Sequence, residues 1–266
     1  MRRWWHSLGW SAIAVMAAVS CLVPSALVLA DQQRQRPWPD EWPIILPPVL
    51  GPLPAPPPPA PPTRPATPSA ERVMETIRAV RANLRSTRYQ HHRVVRERDG
   101  VYYWDCSLMV TWMLERAAPR SLATVPGGSR RLAASYARAI ERAPTDRFAR
   151  GWQRIDHIES LRPGDVFAWR RPPHFPSNNS GHVGFVVEAP RRVPQMPGAY
   201  AVRIADATST GHQNDTRPYP GEGGFGIGTL VFLTDGDGHG THYGWAGTYS
   251  GGYVVTPILF GRVGPR

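Results

Sequence analysis

The chain has 266 residues, with 30 Pro, 25 Gly, 31 basic residues against 20 acidic ones, and 2 Cys. That length allows one domain or two small ones, and 41% hydrophobic residues with 10 Trp, 9 Tyr and 7 Phe supply a core, which excludes a wholly disordered chain. Two cysteines exclude a disulfide-stapled scaffold and any zinc site built on three or four thiolates. Every basic residue is Arg, a composition expected of a GC-rich genome, and the Arg residues are scattered rather than run together. The formal net charge of +11 is therefore not read as a nucleic-acid footprint, which requires clustering on one face. An anionic wall or membrane surface suits a basic exported protein as well.

Residues 1–30 open with Arg2 and Arg3, continue through an apolar run from Trp10 to Leu29 and end Val28-Leu29-Ala30 before Asp31. A positive start, an apolar middle and small residues before a polar one make an export signal, cut after Ala30, and place the protein in the periplasm, cell envelope or medium. Two forms of membrane attachment stay open. The uncut run is long enough to span a bilayer, and Ala18-Val19-Ser20-Cys21 is a poor lipid-attachment motif. Removal of the signal leaves 29 Arg against 20 acidic residues, and Cys106 as the one thiol.

Residues 31–68 form a proline-rich spacer. Between Pro37 and Pro68 fifteen of 32 residues are Pro, which fixes the backbone in polyproline II and removes amide donors. At about 3.1 Å per residue such a stretch reaches on the order of 100 Å.

The folded part is expected over 69–266. Val73, Ile77, Val80 and Leu84 make one apolar stripe of a helix, and Cys106 to Ala117 reads as a second helix, opened by Asp105 and stopped before Pro119. Ser129 to Ala143 reads as a third. After Pro163 the period shortens toward two, giving strands near Asp165–Trp169, His182–Val187, Tyr200–Ala205, Thr229–Thr234, His242–Tyr249 and Tyr253–Leu259. Helices followed by an antiparallel meander predict an α+β domain.

The chemistry centres on the lone thiol. In Trp104-Asp105-Cys106-Ser107 the cysteine stands on the first turn of a helix, where unpaired amides favour a thiolate and can help hold an oxyanion. Burial as an ordinary apolar residue is the plainer role for a free Cys, yet an unpaired thiol kept in an exported protein calls for a reason. A thiol nucleophile needs a base. His91, His92 and His157 sit in polar surroundings, whereas His182 opens a strand. Asp206, at the end of the next strand, can come alongside and fix the tautomer of the imidazole.

Trp104-Asp105-Cys106-Ser107 at a helix start, Leu161-Arg162-Pro163-Gly164-Asp165-Val166 leading into a strand and Gly181-His182-Val183-Gly184 opening the next together resemble the NlpC family of papain-like cysteine peptidases, related to the CHAP amidases. The resemblance runs from about Glu97 to Asp206. It implies a papain-like core in which N-terminal helices pack on an antiparallel sheet, acting on bacterial cell-wall peptides without a metal or cofactor. Cys106 matches the nucleophile, His182 the base and Asp206 the orienting group, while Asp105, Ser107 and Trp104 flank the nucleophile on the substrate side. Two features depart from the pattern. Leu108 stands where the family has Gly, and the step from His182 to Asp206 is long, with Pro190, Pro194 and Pro197 marking an inserted loop; His212, Asn214 or Asp215 could replace Asp206.

The expected activity is therefore an exported cysteine hydrolase cutting amide bonds in peptidoglycan stem peptides. The alternatives are a non-catalytic wall-binding or scaffold module, or an amidase or acyltransferase acting on another substrate. His239-Gly240-Thr241-His242 is set aside because no serine motif accompanies it. Asp235-Gly236-Asp237-Gly238-His239 begins like a calcium loop, but Ala246 stands where a bidentate Glu is needed, so a hairpin turn is expected, with a weak metal site left open.

Overall fold

A computed structural model describes residues 63–217 and 221–264. The export signal, Cys21 and nearly all of the proline-rich spacer lie outside the described residues. Among these residues no helix is long and apolar enough to cross a membrane.

The first helix, α1 (Pro68–Asn83), is capped by Thr67, whose Oγ1 accepts from the Ala70 amide at 3.0 Å and donates to the Val263 carbonyl at 2.8 Å. Val73, Ile77 and Val80 are buried as the periodicity requires, while Leu84 falls just beyond the helix. A small sheet follows that the sequence reading missed. In it β1 (Ser86–Tyr89) runs parallel and β2 (Val94–Arg96) antiparallel to the central β3 (Val101–Trp104). Next come α2 (Cys106–Ala117), α3 (Pro119–Ala123), α4 (Ala133–Glu141) and β4 (Trp152–Ile155).

The remaining strands are β5 (Val166–Arg170), β6 (Gly181–Val186), β7 (Arg191–Arg192), β8 (Ala199–Thr208), β9 (Gly224–Thr234), β10 (Gly240–Gly244) and β11 (Val254–Val263). Their pairing corrects the expected architecture. Strands β5, β6, β8, β9 and β10 form an antiparallel meander, and β11 pairs with both β10 and β5, so six strands close on themselves as a barrel. The papain-like α+β core with helices on an open sheet is thereby overturned. Closure depends on β11, which is longer than its sequence pattern predicts because Pro257 interrupts the alternation. The structure accommodates that proline with one extra residue on β11 between its pairings with Gly240 and His242, a bulge.

Side chains alternate across the barrel wall. Phe167, Trp169, Val202, Ile204, Leu230, Phe232, Tyr243 and Phe260 pack together as one core. Val166, Ala168, Val183 and Phe185 point the other way, into a second core with Met109 and Met113 of α2 and Tyr136 and Ile140 of α4. The Leu161–Val166 motif has a structural role. Gly164 has φ +89°, and a Cβ there would come within 2.5 Å of the Ala70 carbonyl. The buried Asp165 accepts from the Arg162 amide and pairs with Arg262 at 2.9 Å.

Candidate active site

Strands β6 and β9 begin, and β8 and β10 end, at the same rim of the barrel. His182 and Asp206, two of the residues expected to carry chemistry, meet at this rim. His182 is the second residue of β6, and Gly181 before it has φ +131°, where an added Cβ would collide with the Trp169 carbonyl oxygen, so no side chain fits. His182 is buried against Phe167, Trp169 and Trp245, with ring centroids 5.9, 5.1 and 5.2 Å away.

Its Nε2 lies 2.7 Å from Oδ2 of Asp206, a carboxylate with no exposed surface. A carboxylate accepts, so His182 carries its hydrogen on Nε2, and Nδ1 is left as the basic nitrogen. Burial lowers the His182 pKa, against the hydrogen bond and charge of Asp206, which favour the imidazolium. The ring is thus a neutral base at neutral pH.

The sequence reading held Asp206 and its neighbours as rivals; the structure brings three of the four together. His212 places Nε2 2.8 Å from the same Oδ2. Arg217, which no sequence signal singles out, pairs with Oδ1 of Asp206 and, through its other terminal nitrogen, with Asp215. Arg217 is further held by donating to the carbonyls of Gly224 at 2.8 Å and Asp206 at 3.1 Å. Asn214 stands apart, its carbonyl accepting from Arg203. Burial alone would raise the Asp206 pKa, but Arg217 and His212 outweigh it and hold the carboxyl well below the usual carboxylate range. One ligand atom from each of His182, Asp206 and His212 falls within 4.8 Å of the others, close enough to share a cation. The guanidinium on Asp206 already supplies positive charge there.

Two glycines make room for this network. A Cβ on Gly226 would come within 2.5 Å of the Arg217 side chain, and one on Gly228 within 2.7 Å of His212 Cβ and 2.8 Å of an Asp215 oxygen. The alternate glycines of Gly224-Phe225-Gly226-Ile227-Gly228 are the sequence signal that residues 209–217 fold back over the barrel rim.

Cys106 is the first residue of α2, as expected, and is 6% exposed. Asp105 caps the helix: its Oδ1 accepts from the Leu108 amide and the Ser107 hydroxyl, each at 2.8 Å, and its Oδ2 lies 3.2 Å from Nδ1 of His91. The Cys106 sulfur accepts from the amides of Val183 and Ser107, so its partner on β6 is the backbone of the residue after His182 rather than the imidazole. Burial first, and then the neighbouring Asp105 carboxylate, push the thiol far above its ordinary value, with the two amides opposing. The thiolate expected from the helix position is corrected by this desolvation, and the resting group is a neutral thiol.

Tyr89, not selected from the sequence, closes the other side. Burial and then the proximity of Cys106, Asp105 and Asp206 raise its pKa. Ser107 is buried beside the thiol. Trp104, expected on the substrate side, is wholly buried against Tyr102 and Trp112, with centroids 5.3 and 5.5 Å away, and has no surface to offer a substrate. The Asp235–His239 segment is the exposed turn joining β9 to β10, in which Asp235 Oδ1 accepts from the amides of Asp237 and His239.

Fold and site together define a closed six-stranded antiparallel barrel that carries a buried His182–Asp206–His212 network, with a buried thiol on the neighbouring helix α2. No family model matches the chain, and no solved structure matches it. An uncharacterized protein of Acanthamoeba polyphaga mimivirus is 31% identical over 131 residues, an alignment covering 42% of this chain and 58% of the viral protein. The chain therefore spans less than two thirds of that relative's length.

Proposed function

We propose that the protein is a cysteine hydrolase of amide bonds, with the stem peptides of peptidoglycan as its substrate. The carrying observation is that the one thiol among the described residues is bonded to the Val183 amide, directly after a buried His182 held by Asp206. The wall-peptide substrate rests on the resemblance of the motifs around Cys106 and His182 and on the export signal read from the first 30 residues.

In this reading His182 Nδ1, which makes no hydrogen bond to the sulfur at rest, turns toward Cys106 and takes the thiol proton as Sγ attacks the scissile carbonyl carbon. The neutral thiol suits such concerted transfer, because a charged sulfur would be costly in this dry setting until the substrate arrives. Of the first-turn amides of α2, that of Leu108 is engaged by Asp105, and that of Cys106 is left to stabilise the oxyanion. The C–N bond then breaks, the proton on His182 passes to the leaving amine, and water releases the acyl group from sulfur. Asp206 remains ionised throughout and fixes the imidazole.

The test is mass spectrometry of muropeptides released from purified sacculi. Wild-type protein releases new peptide ends and Cys106→Ser releases none; equal behaviour of the two proteins removes the enzyme reading.

One observation favours a second reading, a non-catalytic wall-binding module: the sulfur is buried and bonded to backbone rather than to the base. Sacculus pull-down separates the two, since a binding module is retained undiminished by Cys106→Ser and leaves the muropeptides unchanged.

A further inference from the structure

The hydrogens of the Asp206 network can be counted. His212 Nδ1 lies 3.0 Å from the Trp245 carbonyl, and its Nε2 lies 2.8 Å from Asp206 Oδ2. A carbonyl and a carboxylate are both acceptors, so both ring nitrogens of His212 must donate, and a ring that donates twice is an imidazolium. His182 faces no such double demand, since only its Nε2 is engaged by the same oxygen.

The charges around the ring favour the same state. The groups facing His212 are Asp206 from β8, Asp215 and Arg217 from its own loop, His182 from β6, and Trp245 beyond β10, with Arg203 of β8 near Asp215. The His212 amide also donates to Asp215 at 2.8 Å. The ring's own charged contact is the Asp206 carboxylate, which has no exposed surface, and a cation beside a buried carboxylate is favoured over a neutral ring. The Trp245 ring, with its centroid 4.4 Å from that of His212, adds a π-face of the kind that attracts a cation.

We propose that His212 is a second, positively charged histidine of the site. It acts as a positioning residue that pins Asp206 Oδ2, so that His182 keeps its hydrogen on Nε2 and its lone pair on Nδ1. The role deepens the hydrolase reading and rests on it only for the kinetic consequence. Without His212, Asp206 Oδ2 loses one of two donors, the carboxylate gains freedom to rotate, and His182 can turn its hydrogen to Nδ1, where it can no longer accept the thiol proton.

The test is long-range proton–nitrogen NMR of the histidine side chains in the full chain at pH 7. We expect one buried ring with hydrogen on both nitrogens, absent in His212→Gln, and a second ring, absent in His182→Ala, with hydrogen on Nε2 only. In His212→Gln the His182 resonances should move toward a mixture of tautomers. Turnover on peptidoglycan should fall about 10- to 100-fold with KM little changed, the range seen for partners that orient functional histidines. A bare Nε2 on His212 in the wild-type protein, or an unchanged His182 tautomer and turnover in His212→Gln, overturns the proposal. The nitrogen signals stand whether or not the protein cuts peptidoglycan, so failure of the hydrolase reading appears in the muropeptide assay alone.

Discussion

His182 and His212, thirty residues apart in the chain, donate to one and the same oxygen of Asp206, at 2.7 and 2.8 Å. The other oxygen is taken by Arg217. Asp206 is thus the hub of the site, and its removal reaches further than loss of one catalytic contact. Asp206→Asn leaves the buried Arg217 with Asp215 as its remaining carboxylate and offers an amide where two histidines need an acceptor. Breaking a buried pair on one side costs about 3–5 kcal/mol, so the variant should melt well below wild type in calorimetry and lose hydrolysis. A melting temperature within a degree of wild type would show that the network contributes little.

Acid should destabilise the protein in two stages. The Asp206 pKa is lower in the fold than in the unfolded chain, so its contribution is present above the unfolded value of about 4 and is lost as pH falls through the folded one. The His182 pKa is also lower in the fold, because of burial, so the unfolded chain takes up that proton first and stability declines as pH falls below about 6.5. Urea unfolding from pH 8 to pH 3 should therefore show a shallow decline starting near pH 6.5 and a steeper one below pH 4. His182→Gln should flatten the first part and leave the second. Stability that rises on acidification below pH 6.5 contradicts both assignments.

The resting thiol should behave as a protonated group. Burial and the Asp105 carboxylate raise its pKa, so the thiolate fraction, and with it the rate of iodoacetamide alkylation, should be low at pH 7 and rise about tenfold per pH unit. Asp105→Asn removes one raising charge while keeping a good helix-capping residue, and should speed alkylation at fixed pH. Fast, pH-independent labelling at pH 6, followed by mass spectrometry, would mean that Cys106 already rests as a thiolate paired with His182.

The sequence exposed the site more readily than the fold. The helix beginning at Cys106, the strand opening at Gly181-His182 and the strand ending at Asp206 were each legible because strong local signals mark them: an Asp cap, a run of β-branched and aromatic residues, and alternation. The barrel was not. Its closure lies in the pairing of β11 with β5, residues about 90 positions apart, and no local period reports which edges meet. The three strands within 86–104 leave no such signal, because segments of three or four residues fall below the length at which alternation can be recognised. Arg217 was invisible among 31 Arg for the same reason that the net charge carried no message: composition made each Arg unremarkable, and only burial distinguishes this one.

The alternate glycines of β9 offer the sharpest test of how residues 209–217 seat their side chains. Gly226 and Gly228 have no positive φ, so alanine is compatible with their backbone, and any cost comes from what the added methyl meets. At Gly226 that is the Arg217 side chain at 2.5 Å; at Gly228 it is His212 Cβ at 2.7 Å and an Asp215 oxygen at 2.8 Å. Neither distance is tolerable, so Arg217 or the loop must shift. Overpacking of this kind costs about 1–3 kcal/mol. Because the displaced groups are those that hold Asp206, hydrolysis should fall more steeply than stability does. Gly251→Ala, where a methyl meets nothing within 4 Å, serves as the control and should leave both unchanged. If Gly226→Ala and Gly228→Ala match that control in melting temperature and in muropeptide release, the loop does not pack into the rim as described, and Arg217 does not hold Asp206.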